Sequence, residues 1–213
     1  MFLVLIIDQV SKIWIKLNWT IGQRTPLIDG LIELHFIENN GMAFGMEIPG
    51  SWGKIALSVF RIAAVLVIGL YLRRIIKDKE HPGFITCVTL ILTGAVGNII
   101  DSAFYGLLFG RSSLGTVAEF LPEGGGYAGF LHGNVVDMLH FTIRWPEWMP
   151  WVGEGRGEIF PPIFNIADAA ITVGVIWILI RQKTYFAKPV PEVAETSEMK
   201  EGAEDQEAST QSP

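Results

Sequence analysis

Two carboxylates stand where an acid is expensive to keep. Asp168 lies in the first turns of FNIADAAITVGVIWILI, residues 164–180, a run with no other charge, and Asp137 lies inside the apolar stretch VVDM with no base nearby in sequence. An unpaired acid at membrane depth is costly by several kcal/mol, so such residues normally face a bundle interior or a wet cavity and mark a functional site. Two carboxylates held together in a low-dielectric pocket cannot both ionise; they share a proton, one acting as general acid and the other as general base. The matching chemistry is aspartyl hydrolysis. The base deprotonates a water, the acid protonates the carbonyl oxygen, and a gem-diol forms without a covalent enzyme intermediate. The proton belongs to the pair and not to either residue.

Other polar groups fall at the same level. Asn98 and Asp101 close GAVGNIID three residues apart, on one helical face. Asn165 and Asp168 repeat that N-x-x-D spacing, and Asp8 and Lys12 form an i, i+4 pair that reads as a structural ion pair. At about 1.5 Å of rise per residue, Asp8, Asp101, Asp137 and Asp168 gather in one layer toward the outer ends of their helices. Asp101 reads equally as a helix-boundary residue or as one that shapes the site. Arg61 reads as a snorkelling or interfacial residue, and His140 as a loop hydrogen bonder. A metal held by Asp137, His140 and Asp168 has no multi-ligand spacing behind it, so neither metal nor cofactor is expected. Cys87 lies far from the polar layer, Ser102 has no base placed with it, and one cysteine allows no intrachain disulfide.

The elements that must carry these residues are membrane helices. Half of the 213 residues are apolar and 18% are charged; the mean hydropathy is +0.38, a membrane-like profile. The net charge of −6 resides in an acidic segment, 189–213, which lacks aromatic residues and apolar periodicity and is expected to be a disordered cytoplasmic tail. The expected fold is a mainly α membrane protein: a peptidase domain over 1–188 with four transmembrane helices at about 1–17, 55–76, 83–104 and 163–182. The first is weakened by Asp8, Lys12 and Lys16, but it is not a signal peptide, because its charges follow the apolar part. Arg73, Arg74, Lys77 and Lys79, then Arg181, Lys183 and Lys188, place those ends and both termini in the cytoplasm. The connections 18–54 and 103–162 then lie outside. IDGLIELHFIENNGMAFG alternates like short strands at the membrane surface, giving a small extracytoplasmic β-rich region, and Trp145, Trp148 and Trp151 suit a headgroup belt.

Five fragments together resemble the lipoprotein signal peptidases (signal peptidase II). DQVSK (Asp8, Lys12) looks like the family's D-x-x-x-K, NNGMAFG (Asn39, Gly41, Ala43, Phe44) like its N-x-G-x-A-F, and GAVGNIID (Gly94, Gly97, Asn98, Asp101) like its G-x-x-G-N-x-x-D; VVDM and FNIAD resemble the segments with its two catalytic aspartates. Each fragment is weak alone, but five in order over roughly 3–183 are specific. The resemblance implies a bacterial inner-membrane aspartyl endopeptidase with Asp137 and Asp168 catalytic. Asn39, Gly41, Asn98 and Asn165 would bind or position, and Asp8, Lys12 and Asp101 would shape the site. It implies a diacylglyceryl-prolipoprotein substrate cut just before the lipidated cysteine, contact with membrane lipids, sensitivity to globomycin, a monomeric state and no nucleic-acid partner.

The chain departs from that pattern in three places. Ser102 stands where the family usually has an arginine, a Gly-rich insertion separates the third block from VVDM (103–134), and a second insertion follows Asp137 (142–161). The insertions read as decoration, or else as a lid or docking element. The rival from another class is a small transporter with an intramembrane proton relay; it predicts polar residues at several depths, whereas the inner halves of the helices are nearly featureless.

Overall fold

The computed structural model describes residues 1–39, 51–146 and 157–186. Gly41, Ala43, Phe44, Trp148, Trp151 and the acidic tail lie outside the described residues.

Helix α1, Phe2–Asn18, is inside out. Asp8, Lys12 and Lys16, spaced by four, are buried on one face, while Phe2, Leu3, Ile6, Val10 and Trp14 are exposed on others. A helix that turns charge inward and apolar side chains outward is suited to an apolar solvent. Helices α2, Ser51–Lys77, and α3, Pro82–Ile100, follow as a hairpin. His81 caps α3, its Nδ1 accepting the Gly83 N–H at 3.0 Å, and Pro82 sits at the first helical position, where no donor is needed. The helix does not stop at Ile100. It runs on through a π-helical turn, Asp101–Tyr105, into a last turn α4, Gly106–Leu108. Ile55–Lys77 and Pro82–Leu108 are long and apolar enough to cross a membrane.

Four antiparallel strands form one sheet in chain order: β1 Arg24–Ile28, β2 Ile32–Asn39, β3 Val135–Phe141 and β4 Ile163–Phe164. Of the alternating stretch, the described part 28–39 holds the last residue of β1, a turn and the whole of β2. VVDMLHF, expected to be loop, is a central strand paired with β2 and β4, and all seven of its residues are buried or half-buried. Between Leu34↔Leu139 and Ile37↔Asp137, β2 carries one residue more than β3, so a bulge falls at His35 and Phe36. Helix α5 spans Ile166–Tyr185, three residues later than expected at its start, because Ile163 and Phe164 pair with β3 first.

Small residues let α3 and α5 touch. A Cβ on Gly94 would lie 2.2 Å from the Ala167 carbonyl oxygen, and one on Gly174 would lie 2.8 Å from that of Cys87. One apolar cluster (Ile75, Phe84, Cys87, Val88, Tyr185) closes one end of the helices. A second (Ile15, Trp19, Phe36, Tyr105, Phe109, Val136, Met138) joins α1 to the sheet. Ala118 and Tyr127 of the first insertion pack into this second cluster, so the segment is part of the core and not a decoration.

Candidate active site

Each acid of the expected pair is placed by a different element. Asp137 sits in mid-β3 opposite Ile37, 2% exposed, with Oδ1 accepting from Asn165 Nδ2 at 2.7 Å and Oδ2 from Asn39 Nδ2 at 3.2 Å. Asp168 is the third residue of α5 and half-buried. Its Oδ1 accepts from Asn98 Nδ2 at 2.7 Å, and its Oδ2 faces the Asn165 N–H at 3.4 Å. Asn165 Oδ1 accepts the Asp168 N–H at 2.9 Å, which completes a capping box. Asn165 Nδ2 also reaches Asn98 Oδ1 at 3.1 Å. A chain of two amides, Asn165 and Asn98, thus links one carboxylate to the other.

Behind this chain stands a buried ionic cluster. Lys12 Nζ lies 2.9 Å from each of Asp8 Oδ2, Asp101 Oδ2 and Asn98 Oδ1, which matches an ammonium's three donors to three acceptors. Asp8 Oδ1 accepts the Ala167 N–H at 2.8 Å; Asp101 Oδ2 accepts the Val136 N–H at 3.3 Å and its Oδ1 accepts from Gln9 Nε2 at 2.9 Å. Asp101 is fully buried at the junction of α3 and the π-helical turn, where its carboxylate meets Lys12, Gln9 and the Val136 N–H.

Asp137, Asp168, Asn39 and Asn98 line one cleft of about 930 Å³. Burial, reinforced by the charge of Asp168, pushes the Asp137 carboxyl up to about 7. Two acids in one cleft, one of them able to hold a proton near neutrality, can work as acid and base on a water.

The model of the signal peptidase (SPase) II family, Peptidase A8, matches residues 1–183. The chain belongs to this family. The chain is 42% identical over 182 residues to the lipoprotein signal peptidase of Porphyromonas gingivalis, covering 84% of this chain and 78% of that one. It is 32% identical over 194 residues to that of Amoebophilus asiaticus, covering 88% and 78%. Two bacterial membrane enzyme structures obtained by the in meso method resemble it in fold. One has a TM-score of 0.55 at 25% identity over 89% of both chains; the other has 0.54 at 27% over 85% of this chain and 88% of that one. The protein is thus an aspartyl membrane peptidase of the lipoprotein signal peptidase kind.

Two residues, Arg61 and His140, lie elsewhere than their sequence context suggests, and a third, Gln9, joins the network without a motif to mark it. Arg61 of α2 does not snorkel: it lines the cleft, its Nη1 donates to Ser102 Oγ at 3.4 Å, and its charge interacts with Asp168, Asp137 and Asp101. A cation from α2 thus reaches the side chain at position 102. A lone arginine in an apolar helix gives no sign of which way it faces. The unexplained Ser102 was the available signal. His140 is a buried strand residue, bonded to Glu33 and Glu158 and not to the acids of the cleft. Gln9, unremarked, bridges Asp8, Asp101 and the Tyr105 hydroxyl.

Proposed function

We propose that the chain removes the signal peptide from diacylglyceryl-modified prolipoproteins, cutting before the lipidated cysteine, with Asp137 and Asp168 activating a water. The observation that carries this is the cleft itself, where the two acids meet at the ends of one amide chain. One acid of the pair abstracts a proton from the water as the other, holding the shared proton, gives it to the scissile carbonyl oxygen; the gem-diol then collapses with a proton passed to the leaving amine. Asn39 and Asn165 hold Asp137 in place, Asn98 holds Asp168, and Asp8, Lys12 and Asp101 fix the backbones on which the acids ride. Arg61 supplies a fixed positive charge beside the pair, where it can bind a substrate carbonyl.

The rest of the cleft favours a lipidated peptide. Phe141, Phe160 and Phe164 form one aromatic cluster with ring centroids 5.4–6.1 Å apart, and they line the cleft together with Val173. Such a wall accepts acyl chains and apolar side chains.

Four membrane spans fit the surface. Besides the exposed face of α1, α2 exposes Phe60, Leu66, Val67 and Leu70, and α5 exposes Val173, Ile176, Trp177, Leu179 and Ile180, all of which need an apolar solvent. With the basic ends cytoplasmic, the acids stand at the outer face of the inner membrane, where a lipid-tethered site arrives. The proton-relay reading fits less well, since the opposite end is closed by the apolar cluster of Phe84, Cys87 and Val88.

The deciding experiment is cleavage of a lipidated preprotein by the purified protein in detergent or vesicles, with and without globomycin. Globomycin-sensitive cleavage is the expected result; a correctly folded protein that leaves the preprotein intact would sink the reading.

A further inference from the structure

Away from the cleft, the sheet holds a second cluster that the peptidase chemistry does not use. Glu33, His35 and His140 each present a ligand atom within 4.8 Å of the others'. The strands bring them together: Glu33 pairs with His140 across β2 and β3, and His35 lies two residues along β2 from Glu33, on the same face. Glu33 Oε1 stands 2.9 Å from His140 Nδ1, and His140 Nε2 stands 2.9 Å from Glu158 Oε2. Both histidines are more than nine-tenths buried. His35 Nδ1 is, among the described residues, the one buried side-chain nitrogen or oxygen without a hydrogen-bond partner. Burying such an atom unsatisfied is costly, and a site that takes a ligand on it removes the penalty.

We propose that Glu33, His35 and His140 bind a divalent cation of the zinc class, with Glu158 orienting His140 from behind. Two imidazoles and a carboxylate are a ligand set that zinc accepts, with a fourth position left for water. With Nε2 of His140 donating to Glu158, Nδ1 is the acceptor nitrogen, and a cation seated between it and Glu33 Oε1 would replace their 2.9 Å contact, an arrangement common behind metal-binding histidines. Arg24, half exposed, reaches Glu33 Oε1 at 3.4 Å and yields that oxygen to the ion. The ion would tie β2 to β3 and, through Glu158, to the insertion that follows β3. It would stiffen the strand that carries Asp137 from three residues away.

The test uses the full chain, purified without a polyhistidine tag, stripped with chelator and titrated with zinc chloride in detergent. The expected result is one zinc per chain after gel filtration and a melting temperature that rises with zinc. His35→Asn and His140→Ala should abolish both effects, and Glu158→Gln should weaken binding about 10–100-fold. Cleavage of a lipidated preprotein without zinc shows that each variant has folded, so a loss of zinc is not a loss of structure. The proposal fails if wild type retains no zinc at micromolar concentrations, if calcium or magnesium competes equally, or if the folded histidine variants retain as much zinc as wild type.

Discussion

Asp101 accepts the backbone N–H of Val136, the residue before Asp137, and Asp8 accepts that of Ala167, the residue before Asp168. The two acids of the framework therefore hold the two acids of the cleft by the same means, one amide upstream of each, and a single ammonium, Lys12, joins the two holders.

Lys12 is accordingly expected to be indispensable to the fold. Lys12→Met leaves Asp8 and Asp101 buried without their cation, at a loss of about 3–5 kcal/mol. Thermal melting in detergent should fall steeply and cleavage with it. Wild-type melting in this variant would contradict the framework role.

Asp137→Asn and Asp168→Asn should each reduce cleavage by at least about 10²–10⁴-fold, the usual worth of a positioned acid or base. The amide fills the same space but cannot relay a proton. Melting no lower than that of wild type, measured alongside, separates lost chemistry from lost structure; substantial residual turnover in either variant rules out the dyad.

The dyad should also give activity an alkaline limb. Asp137 holds its proton up to about 7, so kcat/KM should decline as pH rises through that region and both acids ionise. Stability follows the same group. Its folded-state value lies above the ordinary 3.8, so the folded form binds the extra proton between about 4 and 7, and stability falls as pH climbs through that window. Asp137→Asn should therefore melt higher than wild type at pH 8 and lose that advantage near pH 4. A kcat/KM flat from pH 6 to 9 would count against the shared proton.

Arg61→Ala should lower kcat/KM by about 10²-fold, comparable to removing one preorganised donor. Arg61→Lys should recover only part, because it keeps the charge but not the planar fork. Adding Ser102→Arg to Arg61→Ala should restore activity in part, since the Arg61 guanidinium lies 3.4 Å from the Ser102 side chain and an arginine there returns a cation to the same neighbourhood. Wild-type turnover by Arg61→Ala would remove this residue from the site.

Much of the site was legible because its information is local. The i, i+4 step from Asp8 to Lys12 and the N-x-x-D steps at Asn98 and Asn165 fix faces within single helices, and each of these residues is found in the network. What escaped depends on pairing between distant segments. Glu33 meets His140 only through the register of β2 and β3, and the bulge at His35 and Phe36 has no signature in the alternation of polar and apolar residues. Arg61 escaped because α2 is apolar on every side, so nothing in its own sequence tells which face meets α3. The first insertion looked dispensable by its glycines, yet Phe109 and Tyr127 within it join the core. The start of α5 was set too early because Ile163 and Phe164 are apolar in strand and helix alike.

The capping box gives the reactive group a second duty. The carboxylate of Asp168 faces the Asn165 N–H while the Asn165 side chain accepts from the Asp168 N–H, so the opening turn of α5 and the hydrolytic centre are made of the same atoms. Helix ends fray before middles. Warming should accordingly silence this enzyme by unfastening one turn, well before the bundle comes apart.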